Sequence, residues 1–301
     1  MASKTKATTT HSGRPQTAVE LAPEGALAAT IPAPGETPVY AFAALAPGAL
    51  VPGVGEANIR TRELVVEAIG TALDGVSPRT HAVTLVIPDT AVRVFVLDFD
   101  ALPAKALEAV PVLRFRLRKM VPFDVEHAAL SYQILIQNET SVKVLATVMP
   151  GSILAEYEEA VRAAGYEPGA VLPSSLASLA SLDAMEPILA ANLSGQALTT
   201  SITSGQDLYL FRTVDLPEDL AARRAEIQRS IAVAAAYYED KLVARPRQLL
   251  YAGNDTAEQF ARLVGDPELA VVDMVPNTGL GATTALGPLS LAGISGALAG
   301  V

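Results

Sequence analysis

Apolar positions along this chain change period in short blocks, alternating where a strand is expected and recurring every three to four residues where a helix is. Residues 17–22, 25–31 and 38–45 read as three short strands, punctuated by Pro23, Gly25, Pro32, Pro34 and Gly35. A helix over 61–73 follows, with Leu64, Val65, Ala68, Ile69 and Ala72 on one stripe, and then Val83, Leu85 and Ile87 alternate as a strand that stops at Pro88. The same succession returns later. Residues 188–193, 197–203 and 208–214 are three strands separated by Gly195 and the Ser204-Gly205 turn. A helix over 217–238 carries Ile227, Ile231, Ala234, Ala235 and Tyr238 on its apolar face, ahead of a strand at 248–251 and a helix at 256–264. Between the two runs, residues 91–150 spell a separate unit: strand 92–99, helix 103–120, and strands 130–137 and 142–149 joined as a hairpin at Asn138-Glu139. Helices at 151–165 and 174–183 lead back to the second run.

Half of the 301 residues are apolar, enough for a large core, and the formal charge is −10. That balance argues against nucleic acid as a partner, because such affinity comes from cations that displace phosphate counterions. With no cysteine there is no disulfide framework, thiolate zinc site or thiol nucleophile, as suits a reducing cytoplasm. Residues 1–16 mix Lys4, Lys6, His11 and Arg14 with Thr, Ser and Ala and lack an apolar signal core, so they read as a disordered leader. The uncharged tract 275–301 is rich in Gly, Ala, Ser and Thr; it reads as a buried helix of small residues, with a membrane or partner contact as the other possibility.

Catalytic signatures are missing. His11, His81 and His127 are scattered, no metal set is spelled out, and neither a G-x-S-x-G nor a phosphate-binding G-x-x-x-x-G-K-[ST] sequence occurs. Asp98 and Asp100 flank Phe99, where a solvated strand end is the plainer reading than an acid–base pair. No catalytic residue and no metal ligand are therefore assigned. The chemically distinctive stretch is 114–133, RFRLRKMVPFDVEHAALSYQ. Arg114, Arg116, Arg118 and Lys119 lie between apolar Leu113, Phe115, Leu117 and Met120, and Pro122 bars the helical conformation from Val121. Arg114 and Arg118 share a helix face while Arg116 points away. Read plainly, this is a solvated helix end favoured by the helix dipole; read functionally, it is a site for an acidic partner segment or an anionic membrane.

The order of basic helix, Pro-Phe-Asp and strand resembles the PilM family, cytoplasmic actin-like proteins of type IV pilus assembly. LVIPDTAVRVFVLDF at 85–99 and GQDLYLFRTVDL at 205–216 are similar to that family as well. The resemblance implies an α/β chain with a duplicated actin-like (ribonuclease H-like) fold and an inserted α+β subdomain. Residues 17–90 and 151–186 then form the first half, 91–150 the insert, and 187–301 the second half. It also implies a site for ATP and magnesium between two hairpins and a glycine-rich turn. The positions that match are Glu20 and Gly25 in the first hairpin, Asn192, Gly195 and Thr200 in the second, and Gly253 and Asn254 in the turn. Against nucleotide chemistry, Ala22 replaces a glycine, Pro23 removes an amide donor, Glu24 adds negative charge where phosphate should sit, and Asn192 supplies no charge for a metal. Asn254 and Asp255 also suit the N-cap of the following helix.

The implied function is a cytoplasmic scaffold with a degenerate nucleotide site, peripheral to the inner membrane. It would bind the cytoplasmic N-terminal peptide of a PilN-like bitopic membrane protein and meet other pilus assembly proteins, without a membrane span of its own. Arg114, Arg118, Lys119 and Phe123 are the candidate partner-binding residues. Two alternatives stay open: a working actin-like ATPase whose nucleotide state gates partner binding, and a scaffold like GspL of type II secretion.

Overall fold

A computed structural model describes residues 14–33, 35–182, 186–205, 207–275 and 289–299. Most of the expected leader (1–13) and of the C-terminal tract (276–288 and 300–301) lie outside the described residues. Two five-stranded sheets share one plan. The first has the order β3-β2-β1-β4-β8, from β1 (Thr17–Ala22), β2 (Gly25–Thr30), β3 (Val39–Ala44), β4 (Ala82–Ile87) and β8 (Glu167–Pro173). The second has the order β11-β10-β9-β12-β13, from β9 (Ile188–Ser194), β10 (Ala197–Ser204), β11 (Asp207–Asp215), β12 (Gln248–Gly253) and β13 (Ala270–Asp273). In each, the first three strands are antiparallel and the last two join in parallel.

β1 and β2 are buried along their whole length because the first sheet is covered on both faces. Val19, Leu21, Ala26, Ala28 and Leu85 pack under α1 (Arg62–Val76) and α3 (Gly151–Ala163). Ala18, Leu27, Ala29 and Val86, the alternate positions, pack with α4 (Ser174–Leu179) and α7 (Ala292–Ala297). The described part of the C-terminal tract is thus a buried helix of small residues, docked on the first sheet. In the second sheet Leu189, Ala191, Leu193, Leu198 and Ile202 pack against α5 (Leu220–Leu242) and α6 (Ala257–Val264). Its other face bears the buried polar residues Asn192 and Thr199.

A third sheet, β5-β7-β6, is antiparallel and built from β5 (Arg93–Phe99), β6 (Ala128–Gln137) and β7 (Val142–Pro150). α2 (Ala106–Leu117) covers one of its faces through Leu113 and Leu117, against Val142, Val144, Ala146 and Val148. The Asn138 side chain closes the β6–β7 turn, accepting from the backbone N–H of Thr140 at 2.9 Å and of Ser141 at 2.8 Å.

Several expectations are corrected. The helix expected over 103–120 forms only from Ala106 to Leu117 and ends five residues before Pro122; Arg118 to Met120 form a turn in which the Met120 N–H reaches the Leu117 carbonyl. β8 was missed because Pro168, Gly169 and Pro173 read as loop residues. It pairs only with β4 at the sheet edge, where a missing N–H costs little. β13, four residues at the corresponding edge of the second sheet, is too short to show a period. The helix expected to be capped by Asn254 or Asp255 instead uses Thr256, whose hydroxyl accepts from the Gln259 N–H while the Gln259 side chain returns to the Thr256 N–H.

Candidate functional site

The two hairpin turns face each other across a cleft between the sheets. Pro23 and Glu24, at the β1–β2 turn, and Ser194, Gly195 and Gln196, at the β9–β10 turn, line a space of about 530 Å³ that also takes in Arg93. Gly195 adopts φ +55 to make its turn, and its carbonyl accepts from Arg223 at 2.7 Å. A second, polar space of about 160 Å³ is lined by Gly253, Asn254, Asp255, Thr256, Asp273 and Ser290, among others. A hydrogen bond from the Asn254 amide to Glu24 Oε1, at 3.0 Å, ties the first turn to the loop after β12. The Glu24 carboxylate therefore reaches across the cleft to the opposite half.

Glu20 lies deeper, on the α4 and α7 face of β1, and is buried. Its Oε1 accepts from the Ser174 hydroxyl at 2.6 Å, while Oε2 has no partner. Gly293 of α7 sits directly over it: a Cβ there would lie 2.6 Å from Oε1 and 2.7 Å from Oε2. Burial pushes the Glu20 carboxyl up to about 7, and the nearby Asp89 adds to the rise, against the Ser174 hydroxyl and the Ile294 N–H. Asp89, in the turn after β4, is likewise buried and accepts from the Ser175 N–H at 3.1 Å and from the Ser175 hydroxyl. Its carboxyl is pushed up to about 6 by burial, against Ser175 and the Thr199 hydroxyl of the second half. The fold thus holds two buried carboxyls, with serines and a threonine around them and no cation among the groups that act on them.

The remaining sequence candidates divide. Asn192 pairs with Thr199 across β9–β10 and shares its cleft-side face, so Thr199, not Thr200, is the threonine turned to the first half. Thr200 alternates with Leu198 and Ile202 toward α5, its hydroxyl 3.5 Å from the Arg212 carbonyl. Gly25 is required by packing, since a Cβ there would strike Phe42 and the Ala43 carbonyl. Gly253 is held close to the Tyr251 hydroxyl and the Leu193 carbonyl. Among the described residues no group of three or more His, Cys, Asp or Glu could hold a metal. Asp89 escaped the sequence reading; the Pro-Asp-Thr that ends β4 was its only signal.

The inserted sheet offers a second kind of site. Opposite α2, it forms a groove with the first half, where Ile87, Val92, Ala129, Met149, Val171 and Pro173 enclose about 240 Å³. A neighbouring space of about 330 Å³ continues past Ser131, Gln133, Thr147 and Leu176. The basic candidates lie on the other face. Arg114 is half-buried and donates to the Ala128 carbonyl at 3.1 Å, Phe123 packs at the rim of the α2 core, and Arg118 and Lys119 are exposed.

The doubled sheet plan and the cleft between its hairpins define an actin-like fold, and solved structures agree. A Bacteroides thetaiotaomicron protein with actin-like ATPase fold and unknown function superposes with a TM-score of 0.50, at 11% identity, over 85% of this chain and 90% of its own. A chain of the PilM–PilN type IV pilus biogenesis complex is similar with a TM-score of 0.69, at 18% identity, over 95% of this chain and 98% of that one. The cytoplasmic domain of EpsL, an inner membrane component of the Vibrio cholerae type II secretion system, gives a TM-score of 0.49 at 14% identity, over 78% and 81%. No sequence-family profile and no curated protein match the chain. No helix among the described residues is long and apolar enough to cross a membrane.

Proposed function

We propose that this chain is a cytoplasmic scaffold of a type IV pilus assembly platform, holding the cytoplasmic N-terminal peptide of a PilN-like bitopic membrane protein. The observation that carries the reading is the likeness to the PilM–PilN complex over nearly the full length of both chains, insert included. The groove between the inserted sheet and the first half is the surface suited to such a segment. It is apolar at its floor, where Ile87, Val92 and Val171 lie, and polar at its rim, where Ser131 and Gln133 lie. A short extended peptide buries its side chains in such a floor and meets polar groups at the edge. Through that peptide the scaffold sits against the inner membrane, where other assembly proteins reach it.

In this reading the nucleotide site is degenerate. The residues present do not fit ATP and magnesium: Glu24 holds a carboxylate across the phosphate space, Pro23 lacks an amide donor, Asn192 is neutral, and Gly293 covers Glu20. The decisive experiment is a titration of the chain with a synthetic peptide from the partner's cytoplasmic N-terminus, followed by fluorescence anisotropy. Saturable binding that Ser131→Arg abolishes supports the scaffold; no binding sinks it. A parallel calorimetric titration with ATP and magnesium is expected to give no heat. Heat from the unaltered chain favours the gated ATPase instead.

A further inference from the structure

We propose that α2 is a membrane-contact helix that lies on the surface of an anionic bilayer, a contact separate from any partner peptide. Ala109, Leu113 and Leu117 recur every four residues and turn into the core of the inserted subdomain. Leu107, Pro111 and Phe115 recur with the same spacing two residues out of step, and so occupy the opposite side of the helix. Among the described residues nothing covers them: Leu107 is 89% exposed and Phe115 79%. Single exposed apolar residues are ordinary, but a leucine and a phenylalanine two turns apart on one outward stripe are not explained by folding.

Charge identifies the occupant. From Lys105 to Met120 there are five cations, Lys105, Arg114, Arg116, Arg118 and Lys119, against the single carboxylate Glu108, in a chain whose net charge is −10. Arg114 is committed to the Ala128 carbonyl and Lys105 pairs with Glu108 at 3.9 Å, which leaves Arg116, Arg118 and Lys119 as exposed cations beside Phe115, with Met120 also exposed. Asp124 is close enough to feel the charge of Arg118, but its hydrogen-bond partner is His127 at 2.7 Å. A helix with an outward Leu/Phe stripe bordered by Arg and Lys has the composition of a segment that rests in the headgroup layer. An acidic protein partner would use the cations but leave Leu107 and Phe115 without a role.

The test is co-sedimentation of the full chain with phosphatidylcholine vesicles, with and without phosphatidylglycerol. The chain is expected to pellet only with the anionic vesicles and to be released by salt. Each exposed cation contributes roughly a fivefold change in the partition coefficient, so R118E/K119E should lower it by more than an order of magnitude. L107S/F115S, which changes no charge, should also lower it, whereas K241E on α5 should leave it unchanged. Because these side chains are exposed, unaltered circular dichroism and melting of the variants confirm that the fold is intact. No pelleting with anionic vesicles, or equal pelleting of R118E/K119E, overturns the proposal. Self-association that R118E/K119E dissolves while vesicles remain unbound assigns the face to a second copy and also overturns it. Peptide binding in the groove is read separately, so the two readings fail independently.

Discussion

Replacing Glu20 by glutamine should stabilise the protein, by an amount that is nil in acid, grows as pH rises above 4.5 and levels off above 7. The Glu20 carboxyl is buried between Ser174 and Gly293, with one oxygen unpaired and no cation acting on it. Its protonated form is the one the fold accepts, and its folded pKa of about 7 stands above the ordinary 4.5. That advantage is fully present below pH 4.5, and it is lost as pH rises through 7, when a bare carboxylate must stay buried. A rise from 4.5 to about 7 corresponds to about 3 kcal/mol. Glutamine has the shape of the protonated acid and keeps an oxygen for the Ser174 hydroxyl, but carries no charge at any pH. Urea unfolding followed by circular dichroism at a series of pH values should show the wild-type chain losing stability between pH 5 and 8. The E20Q curve should be flatter, coinciding with wild type in acid and standing about 3 kcal/mol above it at pH 8. Asp89, raised from 3.8 to about 6, adds its own loss over a lower window in both proteins, and because its charge acts on Glu20 the difference curve reports Glu20 together with that coupling. An E20Q protein that is less stable at every pH, or that runs parallel to wild type, would refute the reasoning.

Other changes have outcomes as definite. Gly296→Ala places a methyl against the Ala177 carbonyl, so α7 must lift from α4, at a cost of about 1–3 kcal/mol seen as a lowered melting temperature. Thr256→Ala removes the cap of α6 and should cost about 1 kcal/mol in the same measurement, with Asn254 unable to substitute. Ser131→Arg should leave melting unchanged while abolishing binding of the partner peptide in anisotropy, because Ser131 is exposed on the groove rim. Glu24→Ser removes the contact with Asn254; calorimetric heat with ATP and magnesium from this variant, and none from wild type, would locate the obstacle to nucleotide at Glu24.

The repeated succession of strands was legible because period and punctuation agree locally: β1, β2 and the β9–β10 hairpin need only alternation and the turn residues between them. What stayed hidden depends on position in the fold. Pro168 and Pro173 argue against a strand unless the strand is known to lie at an edge, and that is a property of the whole sheet. The candidate site divides in the same way. Glu20, Asn192 and Gly195 could be named from their hairpins, but Ser174 lies 154 residues from Glu20 and no spacing rule connects them. Thr199 and Thr200 were indistinguishable in sequence, and only the pairing of Thr199 with Asn192 decides which faces the cleft. The groove takes its walls from residues near 87, 130, 148 and 172, so no single stretch announces it. The basic helix could be seen at once, yet its outward Leu107 and Phe115 stripe became visible only after Ala109, Leu113 and Leu117 were placed inside.

The placement of α7 bears on how the chain comes off the ribosome. Ala18, Leu27, Ala29 and Val86 are made long before Leu291, Ile294, Ala297 and Leu298, which cover them. For most of synthesis, one face of the first sheet and the acid set into it remain open to water. The first sheet can gather its α1 and α3 side early, whereas its other side must wait for α7 to return. Such distant contacts are slow to form and leave apolar surface exposed in the interval, which makes the last ten or so described residues a folding clamp for the first hundred.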